Sequence, residues 1–288
     1  MSLMGRELTL VVLMPELPEV ETVMRGLAAA IQGLRIKRVL VRRGDLRHAM
    51  PTSLGATLTG ARIDGFRRRA KYLLMRLDNG WSVLWHLGMS GRMVIGPATN
   101  QPHEHVVLDF DDGKRLGFID PRRFGAVDLV RTEDEDRHRL LARLGPEPLS
   151  ETLNGKLLHE AFAPKRTSVK AALLDQNLIA GLGNIYVCEA LYRARIRPTR
   201  LCPDVTKREA TRLAAAIKET LTDAIKAGGS SLRDYVQTSG ELGYFQHHWC
   251  VYGKEGEPCP TCPGAPCPGV QRILQGGRSS FFCEVKQK

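Results

Sequence analysis

The hydrophobic pattern of this chain changes period once, at Gly145-Pro-Glu-Pro148, and that change limits the fold more than any single residue does. Before it, short β-rich runs recur at 35–41, 71–77, 82–85 and 106–110. Asp78-Asn-Gly80 and Asp111-Asp-Gly113 are good hairpin turns, because glycine supplies the positive φ that a tight turn needs. After the breakers the apolar spacing becomes helical over 153–162, 167–179, 184–193 and 206–226. One amphipathic helix, residues 16–31 closed by Gly33, precedes the strands. Strands followed by helices predict an α+β multidomain chain: an N-terminal β-sandwich or barrel with a leading helix, then a helical unit. The short turn Gly181-Leu-Gly-Asn184 has the form of a helix–turn–helix connection. From Tyr244 the chain turns Gly-, Pro- and Cys-rich and ends in a small hairpin-like module.

A chain of 288 residues with 43% hydrophobic residues is long enough for two domains, or one plus a small module, with a real core. Its net charge of +11 suits a polyanionic partner, most simply nucleic acid. No apolar run approaches the ~20 residues that span a bilayer. Residues 8–14 are too short for the apolar core of a signal peptide, which argues against secretion. Five of the seven cysteines fall at Cys250, Cys259, Cys262, Cys267 and Cys283, and such clustering favours a metal site over a disulfide framework.

Three basic clusters lie on separate elements: Arg67-Arg-Arg69 with Lys71, Arg122-Arg123, and Lys165-Arg166 with Lys170. With the Gly-Asn turn, whose backbone N–H groups can hold phosphate, they predict a DNA-facing surface that positions a duplex without reading it. Phe124 beside Arg122, and Met89 in His86-Leu-Gly-Met-Ser-Gly91, read either as core residues or as apolar wedges between base steps. Cys259-Pro-Thr-Cys262 is a metal knuckle, and Cys283 follows at the edge of zinc-ribbon spacing. The fourth position of that pattern is Lys286, not a usual zinc ligand. Cys267, Cys250, His247 and His248 are the candidates to replace it.

Pro15 and Glu16 carry a distinct chemistry. At a chain terminus the ring nitrogen of proline is a secondary amine, of which roughly a tenth is uncharged at pH 7, against far less of a lysine. Such an amine attacks carbonyl carbon, and Glu16 can supply a proton. With residues 1–13 attached, Pro15 is an inert amide, and the segment is ordinary helix-start composition.

Six motifs in order resemble one family, the formamidopyrimidine-DNA glycosylases. They are Met14-Pro-Glu-Leu-Pro-Glu-Val-Glu-Thr22, Arg69-Ala-Lys-Tyr-Leu73, His86-Leu-Gly-Met-Ser-Gly91, Asp120-Pro-Arg-Arg-Phe-Gly125, Gly181-Leu-Gly-Asn-Ile-Tyr186 and Gln275-Gly-Gly-Arg-Ser-Ser-Phe-Phe-Cys283. The resemblance covers 14–288 and implies a β-sandwich with a leading helix, a helix–two-turn–helix domain and a zinc-finger-like β-hairpin. The implied boundaries are 1–13 (an extension or mis-assigned start), 14–145, 146–152 as linker, 153–243 and 244–288. It also implies a base-excision-repair enzyme that removes oxidised purines from duplex DNA and cleaves the strand as an AP lyase. Pro15 would attack C1′, Glu16 would be the acid, Lys71 the proton donor for β-elimination and Arg278 the one for δ-elimination. His103, Arg122, Lys165, Lys170 and Asn184 match DNA-backbone contacts, and Met89, Arg122 and Phe124 match residues that fill the gap left by a flipped base. One zinc per chain is implied, on Cys259, Cys262, Cys283 and, with Lys286 in the family's fourth position, Cys267. A monomer at bacterial cytoplasmic DNA, with no membrane partner, completes the expectation. The alternatives are an endonuclease VIII-like preference for oxidised pyrimidines, or a non-catalytic DNA-binding protein if residues 1–13 stay attached.

Overall fold

A computed structural model describes residues 15–96, 101–229, 245–262 and 266–288, so the expectation for 1–13 lies outside the described residues. The first helix, α1 (Leu17–Ile31), leads into β1 (Ile36–Val41), the short α2 (Leu54–Leu58), β2 (Ile63–Arg69), β3 (Tyr72–Leu77) and β4 (Trp81–His86). Four further strands follow: β5 (Arg92–Ile95), β6 (Glu104–Phe110), β7 (Arg115–Ile119) and β8 (Ala126–Arg131). They form two four-stranded antiparallel sheets, in the orders β1-β6-β7-β5 and β2-β3-β4-β8. Alternating residues of the two sheets meet in one core, where Trp85 of β4 packs edge-on against Phe118 of β7 at 5.3 Å. Val20, Val23, Leu27 and Ile31 of α1 close that core. Leu17, at the start of the same helix, is buried in the other core instead, so α1 belongs to both halves of the molecule.

The second core gathers α3 (Gly155–Phe162), α4 (Val169–Leu173), α5 (Asn184–Ala194) and α6 (Lys207–Lys226), with β9 (Gln271–Gln275) and β10 (Arg278–Phe282) packed on them. Helix α5 is buried on nearly every side and is the axle of this half. No described helix is long and apolar enough to cross a membrane. The helix expected over 167–179 stops after Leu173. Polar side chains bend the chain there: the Asp175 carboxylate accepts from Asn177 N, and the Gln176 amide donates to Leu182 O and accepts from Gly181 N. The result is two tight turns between α4 and α5, in place of one long helix.

The arginine triplet Arg67-Arg-Arg69 corrects the sequence reading. It does not add to a DNA-facing surface, because carboxylates distant in sequence consume it. Arg67 pairs with Glu135 at 2.8 Å and with Asp136, and Arg68 pairs with Glu21 and Glu147. Arg69 pairs with Glu147 at 2.9 Å and also donates to Leu144 O and Gly145 O. Glu147 further accepts from Ala70 N. The breaker-rich connection is therefore fastened to the β2–β3 turn, not slack. Glu135 is the other anchor: buried, it accepts from Arg67, Arg76 and Ser82.

Burial alone would raise the Glu135 carboxyl, but the donated hydrogen bonds and two guanidinium charges outweigh it and lower it to about 2. A carboxyl whose folded value lies below its unfolded 4.5 contributes stability above pH 4.5, and loses that contribution as pH falls through about 2. The shift corresponds to the order of 3 kcal/mol. Glu135→Gln is expected to lower Tm clearly at pH 6, with the gap between parent and variant closing by pH 2; pH-dependent thermal melts check it.

Candidate functional site where two helix starts meet

The N-terminus of α1 is set against the N-terminus of α5, and Glu16 lies between them. Glu16 caps α1: its N–H donates to the Glu19 carboxylate at 2.9 Å. Ile185 N donates to Glu16 Oε1 at 3.0 Å, with the amides of Gly183 and Tyr186 facing the same carboxylate. Leu17 N donates to Gly181 O at 3.3 Å, and the Tyr186 hydroxyl donates to Glu19. Both glycines of the turn are needed for this approach. A Cβ on Gly183 would lie 2.2 Å from Glu16 Cδ. Gly181 has φ +91 and would press a Cβ to 2.7 Å from Leu17.

Glu16 is 3% exposed, and its Oε2 has no hydrogen-bond partner among the described residues. Burial pushes this carboxyl above the ordinary glutamate value, although the charge of Lys71 and the α5 amides pull the other way. Lys71 is half-buried, directly after Ala70, whose backbone is held at φ +53 where Glu147 grips its N–H. Burial lowers the Lys71 ammonium, Glu16 and Glu19 oppose that shift, and Arg278 reinforces it. The adjacent His86 is lowered to about 4 by burial and by the charges of Lys71 and Arg47, so its ring is neutral at pH 7. Its Nδ1 accepts from Gly88 N at 3.1 Å.

Arg278 comes from the tip of the β9–β10 hairpin, where Gly276 and Gly277 take positive φ in a two-residue turn. The hairpin is docked by groups of the helical half. Lys170 is 1% exposed, and its Nζ donates to Ser279 O at 2.8 Å and Ser280 Oγ at 2.6 Å. The position expected to touch the DNA backbone is thus engaged inward, holding the strand that carries Arg278. Asn184 Nδ2 donates to the same Ser279 carbonyl at 3.0 Å, and its Oδ1 has no partner among the described residues. Behind them, buried Glu189 of α5 accepts from the backbone N–H groups of Cys250, Val251 and Tyr252 at 2.8, 2.9 and 2.8 Å. A cleft of about 680 Å³ opens between α4 and the hairpin, lined by Lys170, Asp175, Gln275 and Arg278. Lys165 stands beside it, half-exposed and 3.3 Å from Asp175.

Met89, Arg122 and Phe124 sit on two loops whose backbones touch: a Cβ on Gly88 would meet Phe124 C at 2.4 Å. Phe124 is 44% exposed, which excludes the core-packing reading for it, and the Arg122 guanidinium lies 5.0 Å from its ring centre. His103 is exposed on the next loop with φ +64. Ser90, Asp120, Glu19 and Glu147 all stand inside the motifs quoted above, and the sequence alone assigns none of them a part in the site. For Glu19 the signal was present, as an acidic residue three places after a helix cap.

The sulfur atoms of Cys259, Cys262, Cys267 and Cys283 all lie within 4.8 Å of one another, and all four cysteines are free. Cys283 Sγ is 3.8 Å from Cys262 Sγ and 3.5 Å from Cys267 Sγ. Tetrahedral zinc with Zn–S near 2.3 Å requires sulfurs about 3.8 Å apart, so this donor set fits a structural metal ion. Of the candidates for the fourth position, Cys267 is the one whose sulfur joins the other three. Cys250 and His248 are not in the cluster, and the His247 side chain lies outside the described residues. Lys286 places its ammonium 3.8 Å from the ring centre of Tyr192, whose hydroxyl lies 3.4 Å from Cys259 Sγ and 2.9 Å from Thr261 Oγ1.

Residues 14–127 match the formamidopyrimidine-DNA glycosylase N-terminal domain, and residues 144–236 match the H2TH domain of the same glycosylases. A protein of Acidiphilium cryptum named formamidopyrimidine-DNA glycosylase is 60% identical over 96% of this chain and all of its own length. A Gluconobacter oxydans protein of the same name is 58% identical over the same shares. Among solved structures, the MutM (Fpg) protein of Thermus thermophilus superposes with a TM-score of 0.84 at 41% identity, covering 95% of this chain and 98% of that one. A Lactococcus lactis Fpg mutant in complex with DNA containing Fapy-dG gives a TM-score of 0.88 at 36% identity, covering 95% of this chain and all of that one. With identity and coverage this high in both halves, the chain belongs to the formamidopyrimidine-DNA glycosylase family.

Proposed function

We propose that the chain is a base-excision DNA glycosylase that removes oxidised purines from duplex DNA and then cleaves the abasic strand. The observation that carries the proposal is the buried Glu16 carboxyl, raised by its burial, directly following Pro15 and within the charge field of Lys71, on which Arg278 acts in turn. A damaged base stacked in a duplex is out of reach of such a group, so the nucleotide must rotate out at a cost of a few kcal/mol. Met89, Arg122 and Phe124 offset that cost by filling the vacated stack. His103, Arg122, Lys165 and Asn184 hold the backbone around it, with Lys170 securing the hairpin opposite.

The Pro15 nitrogen then attacks C1′ as the bond from C1′ to the base breaks, and Glu16 delivers a proton to the departing side. The C1′–O4′ bond then opens, O4′ taking up the proton that the Pro15 nitrogen sheds, and the nitrogen–C1′ bond becomes an iminium Schiff base; this acidifies the C2′ hydrogen, whose loss expels the 3′ phosphate. Lys71 serves this β-elimination as proton donor, and Arg278 serves the following δ-elimination, which expels the 5′ phosphate. Every step uses groups of one chain, so a monomer on bacterial chromosomal DNA suffices. The nucleophile exists only when Pro15 is the first residue. Borohydride trapping on 8-oxoguanine duplex should therefore link a chain beginning at Pro15 covalently to DNA, and the chain with residues 1–13 attached should form no adduct. Release of 8-oxoguanine should outpace release of thymine glycol; the reverse order would assign the substrate to oxidised pyrimidines.

Cys259, Cys262, Cys267 and Cys283 would hold one zinc ion, which fixes the base of the hairpin and takes no part in the chemistry. Metal analysis is expected to give about one zinc per chain for the parent and well under half of that for Cys267→Ser. Full zinc content in the Cys267→Ser protein would exclude Cys267 as a ligand.

A further inference from the structure

The two wedge loops are joined through one buried carboxylate, and that joint has a functional consequence. Asp120 is fully buried. Ser90 Oγ donates to its Oδ1 at 2.6 Å, and Gly125 N donates to its Oδ2 at 2.7 Å. Ser90 Oγ in turn accepts from Arg122 N at 3.1 Å. The Ser90 hydroxyl therefore ties the residue after Met89 directly to the backbone of Arg122, and the carboxylate it donates to also fixes the residue after Phe124. The third loop is caught at the same point: Asp120 N donates to His103 O at 3.0 Å, and the His105 ring nitrogen Nε2 lies 2.9 Å from Asp120 O. Phe124 and Arg122 themselves are exposed.

We propose that Ser90 and Asp120 form a latch, a pair of positioning residues that makes Met89, Arg122 and Phe124 enter the base stack as one preset unit. Wedge insertion must replace lost base stacking at the moment the nucleotide leaves, so each side chain that has to be ordered during that step slows it. A buried, hydrogen-bonded carboxylate meets that ordering cost on folding, before DNA arrives. The inference rests on the wedge role assigned above to Met89, Arg122 and Phe124, and its test separates the two.

The full chain is mixed with a duplex carrying a tetrahydrofuran abasic analogue opposite 2-aminopurine, whose fluorescence reports entry of a side chain into the stack. Ser90→Ala is expected to slow that signal about tenfold, the equivalent of one lost buried hydrogen bond. Its affinity for undamaged duplex and its salt dependence should stay close to the parent, because Lys165 and Asn184 on the helical half are untouched and the Arg122 charge is retained. Ser90→Thr, which keeps the hydroxyl, should recover most of the insertion rate. Phe124→Ala should lose the signal. If Phe124→Ala loses the signal while Ser90→Ala inserts at the parental rate, the latch is overturned and the wedge role stands. If Ser90→Thr is as slow as Ser90→Ala, the hydroxyl is not the cause and the latch is likewise overturned. A Phe124→Ala protein that keeps the full signal would overturn the wedge role itself.

Discussion

The contact between the Glu16 carboxylate and the amides that open α5 is the constraint on which the rest of the structure depends. It joins the strand-rich half to the helical half where the partial positive charge of a helix start meets an acid. The approach is close enough that Gly183 admits no side chain, and Gly181 is held at a φ that few other residues adopt. Leu17 then packs into the helical core while the next turn of α1 packs into the sandwich. Burial raises the carboxyl, and the α5 amides together with Lys71 limit the rise. An acid kept poised between these influences is what proton delivery to a departing base requires.

From that joint the same helix reaches the third unit. About one turn along α5, Glu189 collects three consecutive backbone N–H groups from residues 250–252, and Asn184 and Lys170 collect the Ser279 carbonyl. Arg278 is thus located relative to Glu16 through one rigid element and a short chain of buried polar contacts. The cysteine cluster fixes the far end of the same hairpin. Its fourth sulfur comes from Cys267, between the knuckle and the hairpin, and Lys286 rests on an aromatic ring instead of meeting a metal ion. The cluster lies at the base of the hairpin and not at its tip, so the shifted place of its fourth cysteine leaves the turn that carries Arg278 unchanged.

Much of this was legible in the sequence, for physical reasons that differ by residue. The change of period at Gly145 reports the switch from pleat to helix directly, and Gly276-Gly277 reports a two-residue hairpin turn. The strand β2 was read as a basic cluster because its charge is visible locally, whereas Glu135 and Glu147, which neutralise it, lie more than sixty residues away. The break after Leu173 went unseen because it is made by side-chain hydrogen bonds of Asp175 and Gln176, not by glycine or proline. Cys267 stayed one candidate among several because spacing alone does not bring four sulfurs together. Ser90 and Asp120 carried no signal as isolated residues, since their meaning lies in a contact between loops.

The central claim, that burial at the meeting of two helix starts holds Glu16 ready as an acid, is tested most directly by titrating its carboxyl carbon in the full chain by ¹³C NMR. The structure predicts a midpoint above the ordinary glutamate value of 4.5. A midpoint at or below that value would contradict it, by showing that the α5 amides and Lys71 outweigh burial and keep the group a carboxylate.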